Sequence, residues 1–266
     1  MSTAMTSDAA AARHEQPASS QVPMSRLVKV ELRKLTDTRA GRWLLLTIAL
    51  LTAAVIVLFL FVAPPEELTF ENFVNATGTP QGILLPILGI LTVTSEWGQR
   101  TGLVTFTLEP RRGRVVLAKL VAVVVLGLVA VVVALALAAL GNLLGQGLQD
   151  GAGTWDFGLD GLRDIVVVQL LSVLQGLAYG MLIMNTAVAI VVYFALPTVW
   201  QILTGTIAWF RRIGEWIDLN TTTVPLVEHE MDADAWVRLA VAAAIWIALP
   251  LVLGWLRLLR RELKSA

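Results

Sequence analysis

Five long stretches of this sequence contain no charged residue, and their lengths decide what the chain can fold into. They run from Trp43 to Pro65, Asn72 to Ser95, Leu120 to Gln149, Ile165 to Phe210 and Leu239 to Leu256. The hydrocarbon core of a bilayer is about 30 Å thick, and a helix needs roughly 20 residues to cross it. The fourth stretch contains 46 residues, about twice what one crossing needs, so it must fold back on itself. Its central polar pair, Asn185 and Thr186, marks the predicted turn.

The sequence therefore predicts an all-α integral membrane protein with six spans. The predicted bounds are about 43–63, 81–95, 117–141, 165–184, 187–209 and 237–256, within a single membrane domain of residues 25–266. The polar residues 1–24 predict a disordered tail that lacks the apolar stretch of a cleavable signal peptide. The composition agrees, because 15% of the residues are charged and 56% are hydrophobic, whereas soluble domains carry about 25% charged residues.

The charged residues are distributed unevenly along the chain, and this distribution predicts the orientation. Six spans place both termini on one side. The segments on that side hold 16 of the 20 basic residues but only 7 of the 20 acidic ones. Lysine and arginine concentrate on the cytoplasmic side of membrane proteins. The chain is thus predicted to be a multi-pass protein of the cell membrane with both termini in the cytoplasm. The lipid bilayer is a predicted partner, and the zero net charge argues against nucleic acid.

The residues that carry enzyme chemistry are scarce in this sequence. There is no cysteine, there are only two histidines, and no G-x-x-x-x-G-K-[ST] phosphate-binding loop occurs. The interiors of the predicted spans contain Gln169, Gln175, Tyr179 and Gln201, but no predicted span carries a buried Asp, Glu, Lys or His. This pattern predicts that the chain is not an enzyme and holds no metal or cofactor. It also argues against a proton-coupled carrier, since proton relays need ionisable groups.

Two segments outside the spans are predicted to form amphipathic helices. In Ser25–Gly41, Val28, Leu32 and Leu35 fall on one helical stripe with basic residues around it, which predicts a helix in the inner headgroup layer. This helix is either a simple membrane anchor or a docking surface for a cytoplasmic partner. The segment Trp209–Leu219 predicts a short interfacial or re-entrant helix on the outer side.

Glycine pairs at four-residue spacing predict close contacts between spans. Gly176 and Gly180 form such a pair in the fourth span, and Gly141 and Gly145 form another at the end of the third. The absence of a side chain lets helices approach closely. In a chain with 20 glycines, such a pair also arises by chance.

The loop between the second and third spans carries the most specific pattern. It reads SEWGQRTGLVTFTLEPRRGRVVLAK from Ser95 to Lys119, with threonines at short intervals and a Pro-Arg-Arg break before the next span. This loop resembles the coupling helix of the permease subunits of type 2 ABC exporters. The resemblance assigns Glu96, Arg100 and Thr101 to the entry of that helix, and Pro110, Arg111 and Arg112 to its exit.

Two further segments are similar to the same family. Glu31-Leu32-Arg33-Lys34-Leu35 looks like its amino-terminal interfacial helix, in which Glu31, Arg33 and Lys34 supply the charges. The segment Gly180–Thr186 looks like its turn between the fourth and fifth spans. The excess of arginine over lysine is typical of GC-rich bacteria.

The resemblance implies a permease subunit of an ATP-driven exporter. A separate ABC ATPase subunit would bind ATP and Mg²⁺, and a second permease protomer, identical or different, would pair through the first and fifth spans. Relatives move drugs, lipids, glycans or peptides. The alternative is a multi-pass assembly or regulatory protein that tethers a cytoplasmic partner without transporting anything.

Overall fold

The computed structural model describes residues 22–98 and 111–260, and within these ranges every regular element is helical. Most of the predicted amino-terminal tail lies outside the described residues. The helices are α1 Met24–Asp37, α2 Arg39–Val62, α3 Phe70–Gly98, α4 Arg112–Gln149, α5 Gly158–Ile183, α6 Thr186–Thr206, α7 Ala208–Ile217, α8 Leu219–Val227, α9 Ala233–Ala243 and α10 Leu249–Arg260. A 3₁₀ turn occupies Pro65–Glu67, and a π-helical segment, Ala244–Ala248, joins α9 to α10.

The described residues contain six helices that are long and apolar enough to cross a membrane, as the sequence predicts. Five of them are α2 to α6, and the sixth is the continuous helical run Ala233–Arg260, made of α9, the π segment and α10. The predicted turn is also present, since α5 ends at Ile183 and α6 begins at Thr186. Met184 adopts a left-handed conformation there, and the Asn185 side chain accepts a 3.1 Å hydrogen bond from the Val188 N–H.

The helices extend further than the uncharged stretches predict. The helix α3 begins at Phe70 rather than near residue 81, and α4 continues to Gln149 rather than ending near residue 141. Hydropathy marks only the part of a helix at membrane depth, whereas a helix ends where its backbone is capped. In α4 that end is Asp150, whose φ of 50° is left-handed. With 38 residues, α4 is roughly 57 Å long at 1.5 Å per residue.

The closest packing in the bundle is the crossing of α3 and α5. A Cβ atom added at Gly176 would lie 2.1 Å from the carbonyl oxygen of Pro86, and one added at Gly180 would lie 2.9 Å from that of Ile90. Gly89 meets the backbone of α5 from the other side, since its Cβ would lie 2.4 Å from the Val173 oxygen. Only glycine permits these backbones to approach so closely.

The bundle has two chemically different ends. At the basic end, α1, the carboxyl ends of α3 and α10, and the amino end of α4 lie together. For example, Arg112 donates a 2.8 Å hydrogen bond to the Leu258 carbonyl. At the acidic end, the α2–α3 connection meets the α4–α5 connection, where the Ala152 N–H donates to the Pro65 carbonyl at 2.9 Å.

The helix predicted at Trp209–Leu219 is found as α7, and it takes the re-entrant form. The Trp246 indole N–H donates to the carbonyl of Ile217, the last residue of α7. Trp246 lies halfway along the Ala233–Arg260 run, about 20 Å from either end at 1.5 Å per residue. The junction between α7 and α8 therefore reaches the middle of the sixth span, and α8 returns the chain to the acidic end. The sequence analysis did not predict α8 as a separate helix.

Candidate functional site

A buried cluster of charged side chains lies at the basic end, and it begins with α1. This helix buries one face, which contains Glu31 and Leu35, while Arg33 is exposed. The helix ends at Asp37, and Thr38 turns the chain into α2 by accepting a hydrogen bond from the Gly41 N–H at 3.1 Å. A Cβ at Gly41 would lie 1.7 Å from the Leu35 carbonyl oxygen. This tight turn folds α1 back against α3 and α4.

Four side chains from three helices form the cluster: Glu31 and Lys34 of α1, Glu96 of α3 and Lys119 of α4. Lys119 donates to Glu31 Oε2 at 2.6 Å and to the Thr92 carbonyl oxygen at 3.0 Å, and its Nζ lies 3.1 Å from Glu96 Oε1. These three oxygens match the three N–H donors of an ammonium group. Lys34 donates to Glu31 Oε1 at 2.8 Å and to Glu96 Oε1 at 2.5 Å.

The cluster is deeply buried, and its four described members are two acidic and two basic side chains. Glu31, Glu96 and Lys119 are 3%, 5% and 4% exposed, and Lys34 alone reaches solvent. Burial on its own would lower the pKa of Lys34, but the carboxylates of Glu31 and Glu96 outweigh it and hold that pKa above its ordinary value. The two carboxylates therefore favour the charged form of the Lys34 side chain.

A buried set of this kind fixes geometry more than it adds stability. Moving charges out of water is so costly that a complete buried ion pair is often no better than a well-packed apolar one, whereas removing one partner costs about 3–5 kcal/mol. The four side chains must therefore stay together once the helices have packed. Consequently, the basic ends of α1, α3 and α4 are joined as one unit.

This unit flanks the predicted coupling loop on both sides, since Glu96 lies in the last turn of α3 and Lys119 in the second full turn of α4. The structure thus brings together three of the predicted site residues, Glu31, Lys34 and Glu96. Arg100, Thr101 and Pro110 lie outside the described residues. The carboxylate of Glu96 points into the cluster, so we assign it a positioning role. A direct contact between Glu96 and an ATPase stays a prediction.

Three other basic residues of the predicted site, Arg33, Arg111 and Arg112, lie within the described residues. Arg112 donates to the carbonyls of Leu258 and Leu259 at the end of α10, where the positive charge also complements the helix dipole. Arg257 makes the equivalent contact with the Leu182 carbonyl of α5, at 2.6 Å. Arg33 and Arg111 are exposed. At the basic end, some arginine side chains therefore cap helix ends, and others are exposed on the surface.

The prediction that no span carries a buried charge is wrong. Lys119 lies within α4 and is 4% exposed, and Asp164 lies within α5 and is 2% exposed. Both residues border an uncharged stretch: Lys119 lies near the start of the predicted third span, 117–141, and Asp164 directly precedes the predicted fourth, yet both helices begin before them. The sequence did contain an indication that Lys119 is buried. Its neighbours three and four positions away are all apolar, namely Val115, Val116, Ala122 and Val123, and all four are buried.

A second polar cluster lies at the acidic end. His229 Nδ1 lies 2.8 Å from Asp164 Oδ2, and its Nε2 lies 3.3 Å from Glu71 Oε1. Arg163 donates to Asp164 Oδ1 at 2.7 Å and to Asp160 at 2.8 Å. These contacts tie the segment after α8 to the starts of α3 and α5, so they hold the re-entrant α7–α8 hairpin in place.

The described residues contain no group of three or more acidic, histidine or cysteine side chains arranged to hold a metal ion. Among the described residues of the buried charge cluster, each of the two carboxylates pairs with both Lys34 and Lys119. Neither a scan against protein-family models nor a search of curated proteins found a match for this chain.

Proposed function

We propose that this chain is the membrane-spanning permease subunit of an ATP-driven exporter of the ABC type 2 class. A separate ATPase subunit would bind ATP and Mg²⁺ and would dock at the basic end, on the cytoplasmic side. The proposal combines the resemblance of the 95–119 loop to a coupling helix with the six apolar spans and the basic character of that end.

The observation that carries the proposal is the buried charge cluster. A chain with no phosphate-binding loop must receive the energy of ATP through a contact with another subunit. Glu31, Glu96 and Lys119 join the helix on the membrane surface to the two spans on either side of the predicted coupling loop. A push on α1 or on the loop would therefore move α3 and α4 together rather than bend one helix.

The exposed faces of two spans favour a second permease protomer. Within its most apolar segment α6 buries 6% of its residues against the rest of the chain and α2 buries 22%, compared with 56% for α3. The open face of α6 also carries Thr198 and Gln201. The Gln201 side-chain amide has no hydrogen-bond partner among the described residues, and such a group is unfavourable against lipid. We place the partner protomer and the substrate path against this face.

The test is capture of the ATPase from native membranes with the affinity-tagged chain, followed by an assay of ATP hydrolysis. An exposed charge on α1 provides the discriminating variant. Arg33→Glu is expected to reduce the captured ATPase at least fivefold, because it reverses a charge on the proposed docking surface without touching the cluster. Arg212→Glu is the matched control, since Arg212 is an exposed arginine of α7 at the other end.

Two outcomes count against the proposal. If no ATP-hydrolysing subunit is captured with the wild-type chain, the alternative of a tethering or regulatory protein gains support. If the ATPase is captured equally by the Arg33→Glu and wild-type chains, α1 is not part of the docking surface.

A further inference from the structure

A cavity of about 190 Å³ lies between α5, α6, the π segment and the junction of α7 with α8. Its polar and aromatic lining includes Gln175, Tyr179, Tyr193, Trp200, Asp218 and Trp246. Trp246 is halfway along the sixth span, so the cavity lies near the middle of the bundle. It is formed by residues of a single protomer and is partly open, since its lining includes the exposed Phe194, one turn from Thr198 on α6. No charge from the basic-end cluster reaches it.

The cavity contains a buried carboxylate whose charge is not balanced. Asp218 is 7% exposed, and among the described residues no lysine, arginine or histidine forms an ion pair with it. Its Oδ1 accepts from the Asn220 N–H at 3.1 Å and its Oδ2 from the Thr221 hydroxyl at 2.7 Å. The start of α8 offsets only part of a full negative charge. Ionisable groups at this depth are usually paired or functional.

Five aromatic side chains line the same space, namely Tyr179, Tyr193, Phe194, Trp200 and Trp246. The rings of Tyr179 and Tyr193 have centroids 6.0 Å apart, and those of Trp200 and Trp246 are 6.2 Å apart. The hydrogen bond from the Trp246 indole to the Ile217 carbonyl holds this ring beside Asp218. The π segment inserts Trp246 at this point, and such segments often occur at functional sites.

We propose that this cavity binds an organic ammonium group, with Asp218 as its counter-ion and the rings of Tyr179, Tyr193, Trp200 and Trp246 around it. The faces of aromatic rings attract alkylammonium ions, most strongly away from water. A cavity of about 150 Å³ is known to hold benzene, so a trimethylammonium group fits the space here. The end of the bundle to which α8 leads from this cavity is acidic as well, since 13 of the 20 acidic residues lie in its segments.

The test uses the full chain in an uncharged maltoside detergent, without any ATPase, so its result is independent of the proposed function. Calorimetric titration compares tetramethylammonium and choline with 3,3-dimethyl-1-butanol, the uncharged analogue of choline. Both ammonium ions are expected to bind, and the alcohol is expected to bind at least tenfold more weakly. Equal binding of the alcohol, or no binding of either ammonium ion in the millimolar range, would overturn the proposal.

Asp218→Asn separates the binding role from helix capping, because asparagine also caps helices well. This variant is expected to keep the melting temperature of the wild-type chain and to bind choline at least tenfold more weakly. Asp232→Asn is the matched control. Asp232 caps α9 by accepting from the Ala235 N–H at 2.7 Å, but it is exposed and does not line this cavity. Unchanged affinity in Asp218→Asn would mean that the residue is a helix cap only.

Two further comparisons test the rings and identify the source of the ammonium group. Tyr193→Phe keeps the ring and should keep the affinity, whereas Tyr193→Leu should lower it at least fivefold. In nanodiscs, phosphatidylcholine but not phosphatidylglycerol should weaken choline binding if the natural occupant is a lipid headgroup. Equal choline binding in the two lipids identifies a free small cation instead. A loss of affinity in Tyr193→Phe equal to that in Tyr193→Leu would exclude recognition by the ring.

Discussion

Lys119 shows how one residue organises the basic end of the molecule. It supplies the charge that both buried carboxylates require, and it belongs to α4, while those carboxylates belong to α1 and α3. A lysine one turn inside a predicted span looks from sequence like a topology signal. Its burial becomes predictable only when the apolar neighbours on its own face are considered, because these show that the face has no access to water.

Replacing Lys119 with methionine keeps the length of the side chain and removes its charge. Glu31 and Glu96 then lose their most buried partner, so the free energy of unfolding should fall by about 3–5 kcal/mol. Equilibrium unfolding in mixed micelles measures this loss. Lys29→Met is the control, because Lys29 is an exposed lysine on α1, the helix that carries Glu31. This substitution should change the free energy of unfolding by less than about 0.5 kcal/mol. Equal effects of the two substitutions would contradict the assigned role of the cluster.

Lys34 gives a pH dependence whose sign follows from its raised pKa. A group whose pKa is higher in the folded chain adds stability that is fully present below its ordinary pKa and is lost as the pH rises through the folded value. The difference in melting temperature between the wild-type chain and Lys34→Met should therefore stay constant from neutral pH to near 10.5, the ordinary value, and shrink above it. A difference that already declines between pH 7 and 9 would show that the pKa of Lys34 is lowered.

At the scale of elements, the crossing of α3 and α5 offers a matched pair of substitutions within one helix. A Cβ at Gly89 would lie 2.4 Å from the Val173 carbonyl oxygen, whereas one at Gly82 meets nothing within 4 Å. Gly89→Ala must separate two backbones and should destabilise the fold by about 1–3 kcal/mol. Gly82→Ala should be neutral or stabilising by up to about 1 kcal/mol, since alanine favours helices. Similar thermal unfolding of the two variants would show that the crossing is looser than described.

Hydropathy and charge predicted the elements that depend on the membrane itself. The six spans and the turn at Asn185 follow from the length of apolar segments, because lipid forces each crossing to satisfy its own backbone. The helix ends and the docking of α1 were not predicted, since they depend on contacts between distant residues. Glu31 and Lys119, for example, are separated by 88 positions. The resemblance supplied Glu31, Lys34 and Glu96 as site residues, but their mutual contact required the fold.

The re-entrant α7–α8 hairpin is a second feature that depends on contacts between distant residues and was not predicted from the sequence. The amphipathic aromatic pattern of Trp209–Leu219 is compatible with a helix on the membrane surface and with one that enters the bundle. The choice depends on Trp246, whose indole N–H donates a hydrogen bond to the Ile217 carbonyl at the end of α7. Trp246 belongs to a span about 30 residues later in the sequence. Asp218 was therefore not identified as a membrane-depth carboxylate, since its sequence neighbours give it the appearance of a surface residue.

At the scale of the whole molecule, the orientation is tested by labelling single cysteines, because the natural chain contains none. Cysteines at Glu67, Asp156 and Glu228 are exposed at the acidic end and should react with an impermeant maleimide in intact cells. A cysteine at the exposed Lys29 of the basic end should react only after the cells are opened. Labelling of the Lys29 site in intact cells would reverse the proposed orientation.

Glu31 and Lys119 are far apart in the sequence, and this distance limits how early the contacts of the charge cluster can form during synthesis. Lys119 leaves the ribosome 88 residues after Glu31, which corresponds to roughly 4–18 s at common rates of translation. During that interval Glu31 lacks its partner on α4, so α1 cannot yet make the contacts that hold it against α3 and α4. Arrival of the third span then recruits α1. The contacts that join α1, α3 and α4 at the basic end can thus be completed only after the third membrane-spanning helix has been made, when the first two are already in place.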